Sequence, residues 1–268
     1  MLGFLEYSLA TGDAWYRETA VDLFGKIGRW IADASMLGRP ALEGSLRFGQ
    51  LADIYVVCSM ALELWHATGD TRYLEVLRGS IAGVRAHIDP ERRILLENGS
   101  FEPEFRNYPE GRLACAGSMF EISWILFRAL DLAPDPALEK TLLECVEGAM
   151  EFGWDREFGG FHYFQDIQGR PPLQLEANMK LWWVHAEALY ALLCCYERTR
   201  EQKWLRYLEQ AADWTFTHFP DKQYGEWYGY LDRRGAPASL LKGAVYKGCF
   251  HIPRALLFSL QLLEKLDR

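Results

Sequence analysis

Two short stretches concentrate the side chains that can move protons. In Lys180-Leu-Trp-Trp-Val-His-Ala-Glu-Ala-Leu189, His185 and Glu187 follow a tryptophan pair; in Lys247-Gly-Cys-Phe-His-Ile-Pro-Arg254, His251 stands just before Pro253 and Arg254. Imidazole titrates near neutrality, so it accepts and donates protons without large tuning. A carboxylate orients such a ring or relays a proton, and an indole offers a flat face to a sugar ring. These types suit removal of the weakly acidic proton beside a sugar carbonyl and its return to the opposite face. Pro253 marks a helix start, which sets His251 at the helix mouth with Arg254 in reach of an anionic or hydroxyl group. Trp183 and Glu187 are spaced i and i+4, so they share one helix face, and a carboxyl partly desolvated beside indoles is expected to have its pKa raised. His185 lies about 200° from Glu187 on a helical wheel, so it is expected to support the pocket, with Glu187 facing it.

The elements that position these residues are helices. Apolar periodicity recurs, punctuated by Thr11-Gly12-Asp13, Thr68-Gly69-Asp70, Pro134-Asp135-Pro136 and Thr199-Arg200, turns about 57 to 66 residues apart that mark a repeated two-helix unit. The pattern predicts helices over 13–34, 47–67, 71–88, 113–131, 136–153, 182–198, 202–218 and 250–266, with a fragment at 2–10. Asp13, Asp70 and Asp135 are placed as caps. Between the hairpins, the aromatic segments 159–166 and 224–231 read as short β-ribbons crowding one rim, where a pocket forms.

The two opening stretches, together with Gly117-Ser118-Met-Phe-Glu121-Ile-Ser-Trp124, resemble the motifs of the N-acylglucosamine 2-epimerase family (which includes renin-binding protein). The resemblance implies an all-α fold, an (α/α)6 toroid represented by about four and a half of its six hairpins. Met1 falls within the third hairpin, so roughly the first third of the toroid, with an arginine the family uses, is expected to lie outside these 268 residues. It implies interconversion of N-acetylglucosamine and N-acetylmannosamine by C2 proton transfer, with His251 and Glu187 catalytic. Ser118 stands where the family carries a histidine, and a serine hydroxyl without an activating partner is no substitute for imidazole. Substrate-binding positions implied are Glu121, Trp124, Glu176, Lys180, Trp183, Trp227 and Arg254, with Lys242 and Lys247 as further family-like residues. No metal or cofactor is required, and a nucleotide such as ATP enters only as an effector by resemblance. The alternative is an impaired or truncated member acting as a sugar-binding or subunit-like protein. A glycoside hydrolase working through Glu187 and Glu121 is a third reading.

Several residues keep a second reading. Glu176 and Lys180 are spaced to form an i, i+4 ion pair. Trp227 serves either stacking or packing, and His162 is the histidine that would compensate for Ser118. His66, His87 and His218 sit at helix ends.

At 268 residues and half apolar, the chain suffices for a single domain. A net charge of −8 with no basic stripe argues against nucleic acid. The most apolar run, Leu51 to Trp65, is broken by Asp53 and Glu63, so no membrane span is expected. Cys58, Cys115, Cys145, Cys194, Cys195 and Cys249 lack metal-ligand spacing and read as mostly buried thiols, as suits a cytoplasmic protein. An incomplete ring leaves inner-helix faces open, which makes a homodimer through that gap the expected association.

Overall fold

Helical hairpins follow one another along the chain. The computed structural model describes residues 1–38 and 42–267. Its helices are α1 (Leu2–Thr11), α2 (Ala14–Ala32), α3 (Leu51–Thr68), α4 (Arg72–Gly83), α5 (Ala116–Leu130), α6 (Pro136–Gly153), α7 (Trp182–Thr199), α8 (Gln202–His218) and α9 (His251–Leu266). The turns work as their residues dictate. Gly12 and Gly69 end α1 and α3 at φ 76° and 68°, a left-handed conformation that costs glycine nothing, and Arg200 takes the same geometry after α7 at φ 58°. The carboxylates of Asp13, Asp70 and Asp135 accept backbone N–H bonds from Trp15, Arg72 and Leu138 at 3.0, 2.9 and 3.0 Å, which satisfies donors that the first helical turn leaves free.

Four antiparallel pairs result, α1/α2, α3/α4, α5/α6 and α7/α8, with α9 packed on α7. Helices α3, α5, α7 and α9 lie side by side as the inner layer, and α4, α6 and α8 pack outside it, the curved array of an (α/α) toroid. Sequence explains the layering. Nearly every residue of α5 is buried, because Ala116-Gly-Ser-Met-Phe-Glu-Ile-Ser-Trp-Ile-Leu-Phe127 is apolar almost all round. By contrast α8 buries only Trp204, Ala211 and Thr215 and turns its charges outward. On α1 and α9, Phe4, Tyr7, Leu9, Leu257, Leu260 and Leu263 remain exposed.

Each inner helix from α3 to α7 is entered through a two-residue strand. These are β1 (Gly49–Gln50), β5 (Leu113–Ala114) and β7 (Lys180–Leu181), paired antiparallel with β4 (Asn98–Gly99), β6 (Gln165–Asp166) and β8 (Tyr230–Leu231) respectively; β2 (Ile88–Asp89) and β3 (Ile94–Leu95) pair with each other. Helix starts expected at 47 and 113 are therefore corrected to 51 and 116, since ladder bonds to distant strands hold the preceding residues extended. The helix expected to reach 88 ends at Gly83 and tightens into a 3₁₀ turn, Val84–His87, which buries His87. The two aromatic ribbons close locally through isolated bridges such as Trp154↔Phe161 and Pro220↔Trp227; their far ends become β6 and β8. Strand pairs and inner-helix starts thus share one rim.

All six cysteines are unpaired, and only Cys249 is exposed. Among the described residues no helix is long and apolar enough to cross a membrane.

Candidate active site

Strand β7 fixes how α7 starts, with Trp182 N–H donating to the Gly229 carbonyl at 3.1 Å, and this buries Glu187 completely one turn further on. Helix α9 begins at His251 itself. The two starts converge. Glu187 Oε1 accepts from His251 Nδ1 at 2.7 Å and from Arg254 Nη2 at 2.6 Å, while Oε2 accepts from Trp124 Nε1 at 2.7 Å. Facing a carboxylate, Nδ1 carries the proton, which leaves Nε2 as the nitrogen available to a substrate. Arg254 Nη2 also donates to Glu121 Oε1 at 2.5 Å, and its guanidinium lies over the rings of Trp124 and Phe250 at 4.9 and 4.2 Å.

The two carboxyls are driven apart electrically. Burial raises both pKa values, but at Glu187 the Arg254 guanidinium and His251 imidazole overcome it and hold the carboxyl below its ordinary value. Glu121 is raised, first by burial and then by the negative charge of Glu187, in spite of Arg254. The expectation of a raised pKa at Glu187 is thereby corrected: the indoles desolvate it, and its cationic neighbours win. Glu121, Glu187 and His251 offer ligand atoms within 4.8 Å of one another, a spacing that suits a metal ion; the cation between the two carboxylates is the Arg254 guanidinium.

His251, Arg254 and Glu121 open onto a pocket of about 470 Å³, walled by Met1 to Gly3, Ile27, Tyr55, Val56, Ser59, Met60 and Phe250. That volume suits a monosaccharide. Half-buried Trp183 lies beside it, its ring centroid 5.6 Å from that of His251 at an interplanar angle of 35°. A larger groove of about 870 Å³ runs between the end of α2, residues 45–50, α3 and α4, with Arg47, Gln50 and Asp53 among its polar groups. It contains neither the histidine nor the glutamates.

Glu187, His251, Glu121, Arg254, Trp124 and Trp183 are thus brought together, Trp124 as the buried donor that orients Glu187. Other sequence-based expectations fall elsewhere. Lys180 is fully buried and donates to Asp155 Oδ2 at 3.0 Å, beside Arg233 on the same carboxylate, so it pairs neither with Glu176 nor with a ligand. Glu176 is exposed, and neither it nor Lys180 is on a helix, so their spacing does not bring them together. Trp227 is buried and stacked on Phe219 at 5.7 Å, which settles it as packing. His185 is also structural: Nε2 accepts from Phe161 N–H at 3.0 Å, Nδ1 faces the Leu181 carbonyl at 2.8 Å, and burial pushes its pKa down to about 3. His162 adjoins Asp155, and burial together with Lys180 lowers its pKa to about 4; it does not compensate for Ser118. Lys242 and Lys247 tie the rim loop to Asp221 and Glu226.

Ser118 lies buried in the first turn of α5 beside Glu97, whose pKa its hydroxyl acts to lower. Glu97 itself has no motif around it. Its N–H donates to the Leu113 carbonyl at 2.9 Å and its carbonyl accepts from Leu51 N–H at 2.8 Å, so it bridges the starts of α5 and α3. Burial raises its pKa from 4.5 to about 7, against the Ser118 hydroxyl and with help from Glu121. Tyr55 was equally silent in the sequence; burial and the nearby carboxyls of Glu121 and Glu97 raise its pKa strongly.

Fold and site together define an (α/α)-toroid protein with a carboxylate–imidazole pocket where its inner helices begin. The model of a family described as N-acylglucosamine 2-epimerase (GlcNAc 2-epimerase) matches residues 56–253. The chain is 36% identical over 260 residues to the N-acylglucosamine 2-epimerase of Bos taurus, covering 96% of this chain and 62% of the relative. It is 35% identical over 261 residues to that of Homo sapiens, covering 96% and 61%. A solved cellobiose 2-epimerase from Spirochaeta thermophila superposes with a TM-score of 0.76 at 20% identity, over 99% of this chain and 69% of that one, a likeness of fold. The chain belongs to the N-acylglucosamine 2-epimerase family. It spans 61–62% of the length of these curated relatives.

Proposed function

We propose that this protein moves the C2 proton of an N-acylhexosamine, interconverting N-acetylglucosamine and N-acetylmannosamine. The observation that carries the proposal is the 2.7 Å contact between His251 Nδ1 and the buried Glu187 carboxylate at the wall of a monosaccharide-sized pocket. The names of the relatives support the choice of sugar. In the open-chain aldose the C2 proton is acidified by the C1 carbonyl. Neutral His251 takes that proton at Nε2, Glu187 stabilises the imidazolium, and Arg254 faces the C1 oxygen on which enolate charge collects. Trp183 supports one sugar face. No step here calls for a metal or cofactor; a nucleotide effector is proposed on kinship alone, and a homodimer on the apolar faces that α1 and α9 leave exposed.

A second reading rests on Ser118, whose hydroxyl alone cannot act as a second base: an impaired relative that binds sugar. Incubation with N-acetylmannosamine in D2O, with and without ATP, separates the two. Loss of the C2 proton signal supports the isomerase; its persistence under both conditions, together with measurable sugar binding, supports the impaired relative.

A further inference from the structure

Inverting a carbon requires proton transfer on both of its faces, and the His251–Glu187 pair serves one. The opposite partner has to be a group that exchanges protons near neutrality and borders the same platform. Trp183 identifies the place. One side of its indole faces His251, and its six-membered ring packs so closely on Gly117 that a Cβ there would lie 2.6 Å from it. Ser118 follows directly, on the same face of α5 as Glu121 three residues on. Behind Ser118 stands Glu97, pinned by its own backbone between the starts of α3 and α5.

The Glu97 carboxyl is unusual for a structural group. Oε1 is buried with no hydrogen-bond partner, and no lysine or arginine is among the groups that shift its titration; the ionisable groups around it are Tyr55 of α3, Cys115 and Glu121 of α5, and Tyr163. A buried acid left this way costs stability, a cost that pocket groups bear when a reaction uses them.

We infer that Ser118 and Glu97 form the second proton-exchanging pair, with the serine hydroxyl as relay and the Glu97 carboxylate as acceptor behind it. The inference rests on the C2 proton transfer proposed above. In that direction Ser118 Oγ takes the C2 proton as its own hydroxyl proton passes to Glu97. The C–H electron pair becomes the C1=C2 double bond of the enolate, and the carbonyl pair moves onto the C1 oxygen facing Arg254. Imidazolium His251 then gives its Nε2 proton to the other face of C2 as the carbonyl re-forms. The product is the epimer, with Glu97 protonated and His251 neutral, and the reverse reaction begins from that state.

The test uses the purified full chain with each epimer separately in D2O, following both deuterium entry at C2 and inversion. Glu97→Gln is expected to cut inversion by about 10²-fold or more while one epimer, the one whose C2 proton faces His251, still exchanges. A structural role would lower both epimers together. Ser118→Ala leaves the Glu97 carboxyl in place and must give the same selective loss, which keeps the test decisive if Glu97→Gln folds poorly. In the Glu97→Gln background, Ser118→His should restore inversion, because an imidazole at 118 needs no acceptor behind it. Inversion by Glu97→Gln at the wild-type rate, or equal loss for both epimers, overturns the relay and leaves the proposed activity standing. Wild-type protein that exchanges neither epimer overturns the activity and the relay with it.

Discussion

Replacing Glu97 by glutamine should make the protein more stable, and increasingly so as pH rises from 5 through 7. The folded-state pKa is raised from 4.5 to about 7, first by burial, so the folded protein binds this proton more tightly than the unfolded chain does. Stability associated with the protonated acid is therefore fully present below pH 4.5 and is lost as pH rises through 7. A shift from 4.5 to about 7 corresponds to roughly 3 kcal/mol at full ionisation, of which about 2.5 kcal/mol falls between pH 5 and pH 8. Glutamine keeps the shape and stays neutral, so this slope disappears in the variant. Urea unfolding of both proteins at pH 5, 6, 7 and 8 measures it, because titrations common to the two cancel in the difference. Glu121 and Tyr55 adjoin Glu97, and removing its charge relieves both in the same stabilising direction. The expected result is a gap of just under about 1 kcal/mol at pH 5 that widens to about 3 kcal/mol at pH 8. Parallel curves would refute the reasoning, since they would mean that water reaches Glu97 freely and that its carboxyl is an ordinary surface acid.

Four other perturbations follow from the same geometry. Glu187→Gln removes the charge that stabilises the His251 imidazolium, and C2 deuterium exchange should fall by about 10² to 10⁴, with wild-type exchange in this variant counting against the pair. Lys180→Met leaves the buried Asp155 with Arg233 and no ammonium beneath it, a loss of about 3 kcal/mol in urea unfolding; an unchanged midpoint would deny the pair that role. Gly117→Ala drives a methyl against Trp183 and Val184, at 2.6 and 2.8 Å, and should cost about 1 to 3 kcal/mol together with sugar affinity measured by calorimetry. Leu257→Lys on the exposed face of α9 should shift sedimentation at micromolar concentration from dimer towards monomer, and a wild-type chain that is already monomeric would dispose of that association.

The nine helices among the described residues were legible because their marks are local. Glycine at 12 and 69, aspartate at 13, 70 and 135, and apolar periodicity each act within a few residues. The entry strands were not, since Gly49–Gln50 and Leu113–Ala114 look like more helix until Asn98–Gly99 and Gln165–Asp166 arrive to pair with them. The same distinction divides the site. His251, Glu187 and Arg254 could be read because the stretches that hold them resemble family motifs and their neighbours are aromatic. Lys180 was misread because a local neighbour, Glu176, competed on paper with Asp155, twenty-five residues away, and nothing in a sequence says that the segment between is not helical.

Glu97 carries that lesson further. Its environment is assembled from three separate segments: Leu51 and Tyr55, Leu113 to Ser118, and Tyr163. None of these identifies an acid by spacing, yet together they remove its water and leave one oxygen without a partner. Arg254 shows the converse. The sequence offered it as a group for binding ligand oxygen, whereas the fold sets it between Glu121 and Glu187. In the proposed reaction the enolate oxygen competes with two carboxylates for one guanidinium. That competition is weakest when Glu121 is protonated, the direction in which burial and Glu187 push it. The raised acid at 121 is thus what leaves the arginine able to answer charge that appears only during the reaction.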